Sequence, residues 1–376
     1  MLVIASKTSG TAIMAEAKPF ELNQPVTART RAVLARRLAD IVGLPSSRIT
    51  PRERWIVGDL LFDLIRASDA ELRRRCAQRL APLKDAPSRL LRALASDDFE
   101  VAEPILEQSL ALTDFDMMDI IRAGTVQHRM TLANRENISE TVAAALAAYG
   151  EPPVVERLLR NRTAHLAAPT VDHLVSAAVD ETRYSALLIR REELRPAQAF
   201  RLFWDSEHMD RLQILDRFAV ERTILIDASE DIFPMAAEEN FSDPMVMRIL
   251  RYIDRRQRNR DAIELSPYTS LEHAIEVFAS EGNHADLVRE IATLSYIELR
   301  LMERMLDDMA GEPLAVLCKS TGLKWISFEH FWTGLRRSAD SPLVDQARRV
   351  FDSLSVEKAQ TVLRYWNLSV EDKASK

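Results

Sequence analysis

Four groups of residues have the types and spacing to do chemistry. Arg135, Arg162 and Arg191, with Arg217 further on, recur at near-equal intervals. In stacked helical hairpins such positions would form a row, and guanidinium groups in a row can grip an acidic partner through paired hydrogen bonds. The favoured alternative is that each arginine bonds carbonyls or carboxylates of the neighbouring hairpin. Asp97, Asp98 and Glu100, then Asp114, Asp116 and Asp119, form a carboxylate cluster suited to a hard cation. It lacks the spacing and glycine of a calcium loop, and both groups sit where helices begin, so capping is the favoured reading.

Arg251, Arg255, Arg256, Arg258 and Arg260 crowd the segment RYIDRRQRNRD. They could meet phosphates, but a solvated helix face running off its C-terminus explains them as well. Seven histidines are scattered, and none makes an HExxH or other close metal pair. There is no GxSxG, P-loop or GxGxxG. No catalytic residue, metal or cofactor is therefore assigned from the sequence.

The elements that must position these groups read as short helical hairpins repeated from about Asp69 to Ile232. An apolar residue, a polar or basic one three on, and an apolar one three further recur as Leu106/Ser109/Leu112, Leu132/Arg135/Ile138, Leu159/Arg162/His165 and Leu188/Arg191/Leu194. The middle residues are 26, 27 and 29 apart. That length holds two short helices and two turns, and fixed self-similarity is the mark of a solenoid.

From about Arg52 to Ile232 the chain resembles an uncharacterised bacterial family of HEAT-like proteins, classed as a domain of unknown function. LASDDFEVAEPILEQSLALTDFDMMDII, HRMTLANRENIS and VVERLLRNRTAHL carry the resemblance, and LCKSTGLKWISFEHFW fits the family's C-terminal part. It implies an all-α helical-repeat fold and no reaction.

The expected organisation is a tail over 1–26, a HEAT-like α-solenoid over 27–232, a linker over 233–242, a C-terminal helical bundle over 243–368 and a tail over 369–376. Met14 is an alternative start to Met1. Leu34, Leu38 and Ile41 share one helical face, and Trp55, Leu60, Leu61 and Leu64 follow at helical spacing. Ser295 with Glu298 reads as a capping box.

Apolar residues make up 47% of 376, enough for real cores. A net charge of −7 disfavours a free-standing nucleic-acid binder. Cys76 and Cys318 lie far apart, which fits a reducing cytoplasm rather than a disulfide-stapled scaffold. No run reaches the roughly 18 apolar residues of a membrane span.

Three functions survive. The leading one is a non-catalytic protein-interaction scaffold, with Arg135, Arg162, Arg191, Phe200, Phe203 and Trp204 as candidate partner-binding residues. Phe200 and Phe203 or Trp204 can share a helical face, but Phe203 and Trp204 lie about 100° apart, so one of them falls at the edge of the buried stripe. Nucleic-acid binding, including base repair, is the second reading, and a small-molecule or lipid sensor the third.

Overall fold

The computed structural model describes residues 27–221 and 259–374, which form helices and, among the described residues, no strand. The chain is all-α, with helical repeats followed by a helical bundle. Contacts divide it into two compact units, residues 1–116 and 117–376.

The first unit contains α1 (Ala28–Val42), α2 (Pro51–Arg66), α3 (Ala70–Leu80), α4 (Ser88–Ala95) and α5 (Phe99–Gln108). Local chemistry fixes their starts. Thr50 and Glu53 form a reciprocal capping box, with Pro51 in the first turn. Asp69 accepts the Leu72 N–H at 2.8 Å. Helices pack two apart, α1 on α3, α3 on α5 and α2 on α4, as repeated hairpins do. Leu61, Ile65, Leu80, Leu90 and Leu94 are buried between them.

α6 (Asp114–Ala123) spans the division. The second unit continues with α7 (Val126–Ala133), α8 (Glu140–Tyr149), α9 (Pro152–Arg160), α10 (Ala168–Ala177), α11 (Arg183–Leu188), α12 (Pro196–Leu202) and α13 (His208–Phe218). The same alternation holds: α7 on α9, α9 on α11, α8 on α10 and α10 on α12. Beyond residue 259 come α14 (Arg260–Leu265), α15 (Leu271–Glu281), α16 (Ala285–Ser295), α17 (Leu299–Asp307), α18 (Glu312–Ser320), α19 (Trp325–Gly334), α20 (Pro342–Ser353) and α21 (Val356–Ala374). α15 packs on α19, and α18 on α20 and α21.

Two sequence expectations change, the Ser295 cap and the inward faces of the first helices, and a third falls outside the described residues. The expected linker at 233–242 and the helix start at Asp243 lie outside the described residues. The helices on either side of them belong to one unit, because α21 packs on α12. The Ser295 capping box does not form. Tyr296 adopts a left-handed conformation (φ 58°) that ends α16, the Ile297 N–H reaches back to the Ala292 carbonyl, and α17 opens only after Glu298. In α1 the buried residues are Ala35, Ala39 and Val42, while Leu34 and Ile41 are exposed. In α2 the inward face is Arg54, Gly58, Leu61 and Ile65, and Trp55 and Leu60 face out.

Candidate functional site

The strongest charged arrangement is a repeated one that sequence periodicity did not reveal. Arg54, Arg73, Arg129 and Arg211 each stand four residues after the residue that caps their helix, Thr50, Asp69, Thr125 and Glu207. The last carbonyls of a helix have no donor within it, and these arginines supply one to the end of the helix behind. Arg54 donates to the carbonyls of Val42 (2.7 Å) and Leu44 (2.9 Å). Arg129 donates to Ile121 (3.0 Å) and Gly124 (2.7 Å). Arg211 donates to Phe203 (3.0 Å) and Ser206 (2.9 Å).

All four also face a carboxylate further along the chain, Arg54 only at 4.0 Å from Asp85 and the other three closely. Arg73 grips Asp97 through two bonds, at 2.6 and 2.9 Å, and Arg129 grips Glu151 at 2.7 and 2.6 Å. These bonds raise both guanidinium pKa values, and the Arg129 bond holds the Glu151 carboxyl below its ordinary value. Arg211 is buried, reaching Asp308 at 2.7 Å and Glu312 at 2.6 Å. Burial works against its charge, but the two carboxylates more than offset that and raise its pKa. His208 completes the cluster with Nδ1 at 2.5 Å from Glu312. Its buried Nε2 has no partner among the described residues. The feature they share is local in the sequence: a basic residue four positions after the residue that opens the helix.

The positions related by hydrogen bonding are offset by one or two residues from Arg135, Arg162 and Arg191 and coincide with the expected row at Arg217. Asn161 donates to the carbonyls of Ala133 (2.9 Å) and Arg135 (2.6 Å), and Arg217 donates to those of Ile189 (2.5 Å) and Arg191 (2.8 Å). Ala133, Asn161, Ile189 and Arg217 are therefore the equivalent positions, 28 residues apart. Arg191 is buried and donates to the Asn161 and Ala164 carbonyls, both at 2.6 Å, and to Glu193. Arg135 is half-buried, and burial lowers its pKa. Arg162 is exposed and makes no hydrogen bond or ion pair among the described residues. All three arginines lie in the connections that follow α7, α9 and α11 rather than within a helix.

The aromatic trio lies against the C-terminal helix. Phe200 and Phe203 are buried, Phe200 beside Tyr365 (5.0 Å between rings) and Phe203 beside Trp366 (4.9 Å). The Trp366 indole N–H donates to the Phe200 carbonyl. Trp204 is half-buried between Trp366 and the Arg304 guanidinium, which sits 4.3 Å from its ring. The covering element is thus part of the same unit.

The carboxylate cluster is divided among local tasks. Asp97 binds Arg73, while Asp116 accepts from Thr113 and pairs with Arg92 at 3.0 Å. Among the described residues no group of His, Cys, Asp or Glu is arranged to hold a metal ion. Both cysteines are free and buried. Burial pushes the Cys76 thiol up to about 11 and Cys318 further in the same direction. Arg251, Arg255, Arg256 and Arg258 lie outside the described residues.

Exposed large apolar side chains occur on both units, Val179, Met209, Leu265 and Met309 among them on the second; the first unit presents two features in which such groups come together. On α2, Trp55 is 59% exposed and Leu60 56%, with Ile56 beside them. Between α1 and α3 runs a groove of about 520 Å³ lined by Arg29, Ala32, Val33, Arg36, Leu72 and Cys76, with Arg75 and Arg79 on its α3 side.

A family model described as "Uncharacterised protein conserved in bacteria (DUF2336)" matches residues 101–364. No curated protein matches, and no solved structure does.

Proposed function

This chain belongs to the bacterial family DUF2336, and from that premise we propose that it is a non-catalytic protein-interaction scaffold or adaptor acting in the cytoplasm. The observation that carries this reading is the exposure of Trp55, Ile56 and Leu60 together on the solvent side of α2. Large apolar side chains grouped on a solvent face are characteristic of protein contact sites, and tryptophan is enriched among the residues that dominate their energy. In the second unit, by contrast, the buried arginines Arg129, Arg191 and Arg211 are engaged in holding helices together. Two buried thiols fit a reducing compartment, and no described helix is long and apolar enough to cross a membrane.

The test is capture from the native host with the full chain and with Trp55→Ala/Leu60→Ala. The pair should leave the circular dichroism spectrum unchanged and deplete a specific co-purifying protein, by an amount equivalent to at least about 2 kcal/mol. Undiminished capture would rule this face out as the contact site.

Nucleic-acid binding stays as the second reading because charge is unevenly distributed. Residues 28–95 contain fifteen Lys and Arg against seven Asp and Glu, a net of +8 in a chain of −7. Retention on immobilised single-stranded DNA at moderate salt would favour it.

A further inference from the structure

The groove between α1 and α3 has a regular construction. Along α1, Arg29, Ala32, Val33 and Arg36 follow at steps of three, one and three; along α3, Leu72, Arg75, Cys76 and Arg79 do the same. Each set is one face of a helix. Small or apolar residues form the floor, and four guanidinium groups border it. The two carboxylates nearby are already engaged: Asp40 pairs with Arg79, and Glu71 lies 2.7 Å from Arg75. Arg29 and Arg36 are exposed and have no partner among the described residues. They stand seven residues apart, which is two helical turns or roughly 10 Å. The groove also lies wholly before residue 101, outside the family match.

We infer that this groove docks an acidic amphipathic helix of a protein partner. Its apolar stripe would cover Ala32, Val33 and Leu72, and carboxylates two turns apart would reach Arg29 and Arg36. The inference rests on the scaffold reading and specifies the partner's chemistry. Three observations select it. A trough between two helices, with an apolar floor and side chains at helical steps, is the geometry in which a third helix packs. Arginine with a bidentate carboxylate is the pairing this chain already forms at Arg73 with Asp97 and at Arg129 with Glu151. The groove lining contains no aromatic ring on which a nucleic-acid base could stack.

The experiment uses the full chain and a fluorescein-labelled synthetic helix with Glu at positions seven apart beside a Leu stripe, followed by anisotropy. The peptide should bind, weaken as salt rises, and bind at least about tenfold more weakly when Gln replaces Glu. Arg29→Ala/Arg36→Ala should weaken it by a similar factor, and Arg348→Ala, on α20, should not. Arg29→Glu/Arg36→Glu should instead bind the peptide carrying Lys in place of Glu, a gain that a misfolded variant cannot give. No binding, equal binding of the Gln peptide, or indifference to Arg29→Ala/Arg36→Ala overturns the inference. So does tighter competition by a short oligothymidylate or by phosphatidylglycerol vesicles, which would transfer the groove to nucleic acid or to a lipid surface. Trp55→Ala/Leu60→Ala separates the two readings. If the peptide fails to bind while capture of the native partner still depends on Trp55, the groove inference falls and the scaffold reading stands. If the peptide binds at the groove while Trp55 is irrelevant to capture, the α2 contact site falls instead.

Discussion

Arg211 and Glu312, 101 residues apart in the chain, meet at 2.6 Å in the interior. Asp308 and His208 join them, so α13 is tied through charge to the segment around α17 and α18. Removing one member leaves its partner buried and charged. Arg211→Ala should therefore cost about 3–5 kcal/mol in urea unfolding. Arg348→Ala, which loses an exposed pair with Asp352 and a guanidinium contact with the Trp325 ring, should cost at most about 1–2 kcal/mol. Equal effects would mean the cluster is solvated in solution.

The Arg129–Glu151 pair predicts a pH dependence. The Arg129 bond holds the Glu151 carboxyl below its ordinary value of 4.5. A depressed carboxylate stabilises the fold above its unfolded value and loses that contribution as pH falls through the folded one. The stability gap between the native chain and Glu151→Gln should thus be full at neutral pH and close progressively below 4.5. Denaturant midpoints measured across that range give the answer, and a gap that widens toward acid would contradict the assignment.

Asn161 and Arg162 are neighbours with opposite expectations. Asn161→Ala leaves the Ala133 and Arg135 carbonyls without their donor and should destabilise by about 1–3 kcal/mol. Arg162→Ala should fall within about 0.5 kcal/mol of native. The reverse order in melting experiments would return the structural role to Arg162.

Gly334 lies where α19 meets α15. A Cβ there would stand 2.3 Å from the Phe278 carbonyl oxygen and 2.4 Å from its ring. Backbone cannot swing aside as a flexible side chain can. Gly334→Ala should cost at least about 1–3 kcal/mol, whereas Gly43→Ala, whose nearest contact is at 3.5 Å, should be far milder.

Much of the local structure was legible in the sequence. Thr50, Asp69 and Ser139 open helices, and Gly150 closes one with φ 67°, because a cap is decided within a few residues. Which apolar face turns inward was less legible. Leu34 and Trp55 have the size and spacing of core residues, yet Ala35, Ala39 and Gly58 occupy the interior. Close approach of backbones favours small residues, as at Gly58, where the site of a Cβ is 2.5 Å from the Pro87 ring. Periodicity marks an apolar face without saying what will cover it. The same limit applied to Phe200, Phe203 and Trp204, whose covering helix carries Tyr365 and Trp366. Arg211 with Glu312 was invisible because nothing local links residues so far apart.

The bond from Trp366 to Phe200 spans 166 residues. A ribosome adds about 5–20 residues per second, so Phe200 and Phe203 are synthesised on the order of ten seconds before the ring that covers them. Through that interval the growing chain presents two aromatic rings and the Arg211 guanidinium with their later partners unmade. Growth from the N-terminus can complete each early hairpin as it emerges, but it cannot complete α12 and α13. The order of synthesis and the order of final packing therefore diverge at this point.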